Sequence, residues 1–283
     1  MAVESIWQTS ASMRVSVTEL NFYPVKSMRG VRCERLRLTA TGFEWDRQWM
    51  IVDSKGKFLS QRTHPQLARI VPKVQGTVLK LEAPGLAALC VPLAAQGAPV
   101  LVRVWDDACI GLDQGEVAAA WVSGAVGQSV RLIRVAPDMG RLANAKFAGA
   151  VPAPLNFPDG FPVLVANEAS LEDLNTHLPQ PIPMERFRPN LVLTGLPAWA
   201  EDRIDTLTLG AVTLRLVKPC LRCTIPSIDQ RSGEPATDPA PALKKLRFST
   251  ALRGVMFGEN AVIVAGNGTE IERGAEVRVS YDP

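Results

Sequence analysis

The 283-residue chain has little histidine, with only His64 and His177. Neither lies near a plausible nucleophile or ligand cluster in the sequence, which argues against a zinc hydrolase and a histidine-based catalytic triad. The cysteines are odd in number and widely scattered, unlike the disulfide framework of a small secreted protein. They are Cys33, Cys90, Cys109, Cys220 and Cys223.

Long apolar runs are also lacking, since none approaches the roughly 20 residues that a membrane-spanning helix needs. The first residues have neither the basic nor the apolar region of a secretory signal. The net charge is +3 with both signs interspersed, and no basic run with interleaved aromatics indicates nucleic-acid binding. We therefore expect a cytoplasmic protein without a membrane anchor.

Short alternating segments between glycines and prolines predict a mainly β protein with a few helices, an α+β chain. A helix is predicted at residues 116–126, and a second one begins near Ser170, which has capping-box spacing to Asp173. Residues 139–159 are expected to be a loop. The main strands are expected at residues 15–23, 45–52, 78–81, 100–105, 161–166, 191–194, 207–209, 212–217, 261–264 and 276–279.

Closely spaced strands with turn signals are typical of small antiparallel barrels. We expect an N-terminal β-barrel-like domain over residues 14–110 and a second β-barrel domain over residues 130–283.

Cys220 and Cys223 form a C-x-x-C pair, expected in a loop just past the strand 212–217. A redox dithiol usually opens a helix, and zinc would need a second close pair of ligands, so neither reading is favoured. Two interpretations stay open: buried thiols that act as small apolar groups, and a thiolate that binds a soft metal whose other ligands come from a cofactor. The cations of Lys218 and Arg222 would favour the thiolate.

Two further places in the first half of the chain could bind an anion. Lys26 and Ser27 follow the first strand, where they are either solvated surface or a source of donors for a phosphate. Arg47 is expected on the aromatic face of the strand 45–52. There it either pairs with a carboxylate such as Asp46 or binds a phosphate through its planar guanidinium.

Arg186, Arg188 and Asn190 occupy alternate positions where the chain is expected to enter a strand. If the segment is extended, the three side chains project in the same direction. They then form either an exposed edge of ordinary surface charge or a cradle for an anion or a pterin.

The order of these segments resembles that of one protein family. Tyr23-Pro-Val-Lys-Ser27 and Gly42-x-x-x-Asp46-Arg47-x-Trp49 resemble the N-terminal β-barrel domain that precedes MOSC domains. Four later segments resemble the MOSC domain itself: Asn167-Glu-Ala-Ser-Leu171, Arg186-Phe-Arg-Pro-Asn190, Lys218-Pro-Cys-x-Arg-Cys223 and Phe257-Gly-Glu-Asn260. In layout the chain is similar to the mitochondrial amidoxime-reducing components and their bacterial counterparts.

This resemblance implies a molybdenum cofactor, Mo-molybdopterin, held between the two domains, and no iron-sulfur cluster in this chain. Cys220 would be the catalytic residue and the ligand to molybdenum, whereas Cys223 would not be a ligand. The phosphate of the cofactor would be bound by Lys26, Ser27 and Arg47. The other implied cofactor-binding residues are Asn167, Arg186, Arg188, Asn190 and Lys218.

The resemblance also implies an oxidoreductase that removes oxygen from small N-hydroxylated or N-oxide substrates. Electrons would come from a separate donor protein: a ferredoxin, a flavodoxin, or a cytochrome b5-like protein with its reductase. One alternative is a molybdenum-cofactor carrier or sulfur-transfer module without substrate turnover. Another is a β-barrel module that binds a phosphorylated small molecule and merely buries Cys220.

Overall fold

A computed structural model describes residues 14–94 and 96–281. The α-helices are α1 (Gly115–Val126), α2 (Ala145–Ala148), α3 (Glu168–Thr176) and α4 (Ala240–Leu246). Four 3-10 helices span Pro65–Arg69, Met184–Arg186, Ala200–Arg203 and Ile225–Ser227. The strands are β1 (Ser16–Phe22), β2 (Val31–Cys33), β3 (Arg35–Thr39), β4 (Gly42–Phe43), β5 (Trp49–Val52), β6 (Val71–Gln75), β7 (Val78–Glu82), β8 (Leu89–Pro92), β9 (Ala98–Val104), β10 (Asp107–Asp113), β11 (Arg131–Val135), β12 (Val163–Asn167), β13 (Leu191–Thr194), β14 (Ile204–Leu209), β15 (Val212–Leu221), β16 (Phe248–Ser249), β17 (Gly254–Ala265), β18 (Glu270–Glu272) and β19 (Arg278–Tyr281).

The largest sheet has nine strands in the order β19-β14-β15-β17-β12-β13-β1-β2, with β16 also paired to β17. Its pairings are antiparallel except that of β12 with β13. β1 joins this sheet by lying against β13, with Leu20 opposite Leu191. Both leucines are fully buried in one apolar core. The first two strands of the chain therefore complete a sheet whose other strands all follow residue 162.

Three smaller sheets account for the remaining strands. Their orders are β5-β11-β10-β9, β6-β7-β8 and β18-β3-β4. Helix α1 packs its apolar side, with Val122, into a core that includes Leu132 of β11. The helix ends at Gly127, whose φ of 82° is a left-handed conformation that glycine adopts without steric cost.

The mainly β architecture with a few helices is confirmed, but the expected barrels are not closed. Within residues 14–94 and 96–281, no sheet pairs its two edge strands with each other. Two of the first four strands pair with strands from the C-terminal half of the chain: β1 pairs with β13, and β3 pairs with β18. The two domain ranges stay a prediction, since the largest sheet takes strands from both halves of the chain.

One predicted strand and one predicted helix begin at residues other than those expected. The strand expected from residue 45 begins at Trp49, because Trp45 and Arg47 have φ values of 64° and 46°, which end an extended conformation. The second helix begins at Glu168, and its N-cap is Asn167 rather than Ser170. The loop expected at 139–159 also contains the short helix α2. The helix expected at 116–126 is confirmed as α1.

Candidate functional site

A cavity lies where the loop after β1 faces the end of β15. Six of the nine predicted site residues line it: Lys26, Ser27, Arg47, Arg188, Asn190 and Cys220. The residues that line the cavity include two groups on different elements. Lys26, Ser27, Arg47 and Arg188 are named the basic wall below, and Cys220, Arg222 and Cys223 are named the thiol wall.

Lys26 reaches the cavity from a loop that is tied to β5, where its N–H donates to the carbonyl oxygen of Trp49 at 2.7 Å. Its Nζ donates to the Phe157 carbonyl oxygen at 2.9 Å and to Asp159 Oδ1 at 2.5 Å. Burial lowers the pKa of Lys26 to about 8, and the neighbouring carboxylate of Asp159 opposes that shift. This ammonium therefore changes charge within an accessible pH range.

Arg47 lies in a turn rather than on a strand, so the alternation expected for it does not apply. Its Nη1 donates to Asp46 Oδ2 at 2.6 Å and to Asn190 Oδ1 at 3.2 Å. Asp46 is 2% exposed and also accepts the N–H of Tyr23 at 2.8 Å. Burial raises the pKa of Asp46, and Arg47 opposes that shift. The ion pair that the sequence left open is thus formed, and the same guanidinium also lines the cavity.

Arg188 completes the basic wall from the segment before β13. Its φ is 57°, and its Nη1 donates to the Met28 carbonyl oxygen at 2.7 Å. Its guanidinium carbon lies 4.3 Å from the ring centroid of Tyr23, and that of Arg47 lies 4.2 Å from the same centroid. Burial lowers the pKa of Arg188 to about 10. One buried tyrosine ring therefore packs against both arginines.

Cys220 lies within the last residues of β15, not in a loop beyond the strand as expected. The pairing of β15 with β17 shifts register twice near this end, and such bulges bend a strand and redirect its side chains. Arg222 Nη1 donates to Cys220 Sγ at 2.9 Å, and its Nη2 donates to the Phe187 carbonyl oxygen at 2.8 Å. Phe187 is itself fixed by stacking on Phe257, with ring centroids 3.8 Å apart.

The two cations expected beside the sulfur behave differently. Arg222 contacts Cys220, whereas Lys218 places its Nζ 4.5 Å from the ring centroid of Phe147. Cys220 and Cys223 are both free thiols, and Cys223 is exposed. The interpretation of Cys220 as one of two buried apolar thiols does not hold, because Cys220 is only partly buried and lines a cavity.

Asn167, Arg186 and Lys218 do not line this cavity. Asn167 caps α3 and donates through Nδ2 to the Pro197 carbonyl oxygen at 2.8 Å. Arg186 ends a 3-10 helix, and its Nη1 donates to the Pro226 carbonyl oxygen at 3.1 Å. Because residues 186–190 are not extended, their alternate positions do not share one face.

Four other polar residues of the cavity were given no site role from the sequence: Arg62, Asp159, Arg222 and Asn260. Arg222 was named only as a neighbour of the sulfur, and Asn260 only as the end of a motif. Asp159 falls at the end of the expected loop 139–159, where nothing distinguished it. Arg62 carried no signal at all.

The donor set favours an anionic cofactor over a metal site built from protein alone. Among the residues that the structure describes, no group of three or more His, Cys, Asp or Glu side chains could hold a metal ion. The charged side chains that line the cavity are Lys26, Arg47, Arg62, Asp159, Arg188 and Arg222. This excess of cations suits a phosphate-bearing ligand, and the thiol of Cys220 supplies a soft metal ligand.

Comparisons with known proteins give a consistent result. Residues 14–129 match the family described as MOSC N-terminal beta barrel domain, and residues 152–278 match the family described as MOSC domain. The chain is 30% identical over 278 residues to mitochondrial amidoxime-reducing component 1 of Mus musculus, which covers 95% of this chain and 81% of that protein.

Two further relatives extend the comparison. Mitochondrial amidoxime reducing component 2 of Bos taurus is 31% identical over 243 residues, 82% of this chain and 72% of that protein. The molybdenum cofactor sulfurase of Danio rerio is 29% identical over 268 residues, 87% of this chain but 32% of that protein.

In the described part of the chain, no helix combines the length and apolar character that crossing a membrane requires.

Proposed function

The chain belongs to the family of MOSC-domain proteins that includes the mitochondrial amidoxime-reducing components, and we propose that it is a molybdenum-cofactor-dependent oxidoreductase. Its substrates would be small N-hydroxylated compounds or N-oxides, from which it removes oxygen. One observation carries the proposal: a single cavity holds a partly exposed thiol on one side and the buried cations of Lys26 and Arg188 on the other.

Each wall has a distinct task in this proposal. Lys26, Ser27 and Arg47 would bind the cofactor phosphate, because an ammonium, a hydroxyl and a planar guanidinium are good donors to it. Arg188 and Asn190 would orient the pterin from the same side. Cys220 would bind the metal as a thiolate.

When bound, the cofactor would supply the two-electron chemistry that N–O reduction requires. The chain's own contribution is to hold and orient it. Arg222 fixes the position of Cys220 Sγ through one N–H and anchors itself on the Phe187 carbonyl oxygen through another. Such contacts around a metal ligand restrict its orientation.

We further propose that electrons come from a separate donor protein, either a ferredoxin, a flavodoxin, or a cytochrome b5-like protein with its reductase. A cytoplasmic location stays a prediction from the sequence. The names of the relatives support a role in molybdenum-cofactor chemistry.

The test begins with protein purified from a host that makes the molybdenum cofactor. We expect bound molybdenum and pterin, and reduction of benzamidoxime with an artificial electron donor. Cys220→Ser should lower molybdenum content and activity by at least about tenfold, because it removes the proposed metal ligand. Cys223→Ser is the matched control and should keep both. Wild-type protein without metal, from a host competent to load it, would refute the proposal.

A second candidate is a cofactor carrier or sulfur-transfer module. The similarity to a molybdenum cofactor sulfurase over most of this chain favours it. Protein that binds molybdenum and pterin but does not reduce benzamidoxime with the artificial donor would support this candidate over the first.

A further inference from the structure

A second pocket of about 570 Å³ lies beside the cofactor cavity. The side chain of Arg62 lines both spaces and therefore stands between them. The second pocket has an aromatic side formed by Phe58 and Trp105, with His64 among its polar residues. Phe58, Trp105 and His64 do not line the cofactor cavity described above.

Trp105 is the most unusual residue of this pocket. It lies between β9 and β10, is 51% exposed, and has a φ of 57°, which bulky residues rarely adopt. The guanidinium carbon of Arg62 lies 4.5 Å from its ring centroid, and Phe58 meets it edge-on at 5.2 Å. The indole of Trp105 therefore remains half exposed although Arg62 and Phe58 pack against it.

The indole is also fixed to the rim of the cofactor cavity. Trp105 Nε1 donates to Asp159 Oδ1 at 3.1 Å, and the same oxygen accepts from Lys26 Nζ at 2.5 Å. Lys26 Nζ in turn lies 4.8 Å from the ring centroid of Phe58. A ligand that stacks on Trp105 would therefore lie next to the basic wall.

We propose that the exposed ring of Trp105 binds the planar aromatic body of an N-hydroxylated substrate, whose N–O group extends past Arg62 into the adjoining cavity toward the thiol wall. This inference rests on the proposed function and specifies its substrate class. A ring held by a hydrogen bond offers a preformed apolar surface in a pocket whose other lining residues are mostly polar or charged. Trp105 would thus determine specificity, favouring aromatic substrates over aliphatic ones.

A binding experiment tests the site without turnover. Benzamidoxime is titrated into the oxidised holoprotein without a reductant, and tryptophan fluorescence is followed. We expect saturable quenching in the wild type and in Trp121→Phe, since Trp121 lies outside the pocket and donates to the Ala87 carbonyl oxygen. Quenching should be lost in Trp105→Phe. Unchanged quenching in that variant would overturn the proposal.

A kinetic experiment separates the ring from its hydrogen bond. Trp105→Ala should raise KM for benzamidoxime about tenfold, the effect expected for a lost aromatic contact, and leave KM for acetamidoxime unchanged. Trp105→Phe keeps a ring but loses the bond to Asp159, so its KM values should stay near those of the wild type. An equal change for both substrates in Trp105→Ala would overturn the proposal, because it would indicate a disturbed cofactor site instead.

The two experiments also distinguish this inference from the proposed function. If benzamidoxime quenches Trp105 fluorescence but no preparation reduces it, the aromatic site stands and the reductase proposal fails. If reduction proceeds with no preference that depends on Trp105, the reductase proposal stands and this inference fails.

Discussion

The basic wall is held more firmly than the thiol wall. Lys26 and Arg188 are buried, and the Arg47 side chain is only 13% exposed. Each cation has protein partners: Lys26 pairs with Asp159, Arg47 pairs with Asp46, and Arg188 donates to a carbonyl oxygen. On the thiol wall, by contrast, the sulfur atoms belong to a partly buried and an exposed cysteine. The basic wall, which we propose binds the cofactor phosphate, is therefore part of the structural core, whereas the proposed metal-binding side is an accessible edge.

This difference separates two kinds of mutational effect. Removing a group from the basic wall should reduce both stability and cofactor binding, because its partners stay behind without compensation. Removing a group from the thiol wall should reduce metal binding and leave the fold nearly as stable.

The largest effect is expected for Arg47→Ala. It leaves the buried carboxylate of Asp46 without its cation, so the free energy of unfolding should fall by about 3–5 kcal/mol. The folded fraction should also lose most of its pterin. Denaturant unfolding and pterin fluorescence measure the two consequences separately.

The matched control removes both charges in the double variant Asp46→Asn, Arg47→Gln. Stability should recover in part, because no unpaired charge stays buried, whereas pterin retention should stay low. Normal retention of pterin in folded Arg47→Ala would show that the pair is structural only.

A smaller and purely local effect is expected for Arg222→Gln on the thiol wall. Loss of the contact with Cys220 Sγ should weaken metal retention by about 10- to 100-fold, as is usual for partners of a metal ligand. The melting temperature should change little. Lys218→Gln is the control, because Lys218 lies near the same strand end but points toward Phe147. If Lys218→Gln lost most of its metal and Arg222→Gln kept it, Lys218 rather than Arg222 would be the residue that supports metal binding by Cys220.

The smallest effect is a pH dependence of the basic wall. The pKa of Lys26 is about 8, below its ordinary value of 10.5, so the ammonium loses its proton as pH rises past about 8. Cofactor binding by apoprotein should then weaken by up to about tenfold per pH unit. Between pH 8 and 10.5 the unfolded chain binds more protons at this residue than the folded one, so its contribution to stability rises with pH.

Above pH 8, loss of the Lys26 proton should therefore weaken cofactor binding while the contribution of Lys26 to the free energy of unfolding rises. Binding measured from pH 7 to 10 in the wild type and in Lys26→Gln tests this, because the variant has no proton to lose at this position. The same pH profile in both proteins would contradict the assignment.

The sequence was most informative where a local pattern determines the structure. The apolar spacing of α1 predicted its bounds almost to the residue, and the motifs around Lys26, Arg188 and Cys220 led to side chains that share one cavity. The placement of Arg47 was wrong because a left-handed φ at a residue other than glycine leaves no regular trace in a sequence.

Other parts of the site depend on contacts between distant segments. Asp159 reaches Lys26 across more than a hundred residues, and Arg141 donates to the Asp159 carbonyl oxygen at 2.9 Å. No pattern of apolar and polar residues within one segment predicts such a contact between distant segments. The same holds for Arg62, whose place between two pockets follows from the packing of Trp105 beside it.

The pairing of β1 with β13 also determines when the largest sheet can form during synthesis of the chain. Ser16 lies opposite Thr194, so the first strand leaves the ribosome long before its partner exists. Sheets with such distant partners form late, since the intervening chain has to be synthesised and ordered first. The two walls meet only when this sheet has formed, so the cofactor would be loaded into a finished chain rather than a growing one.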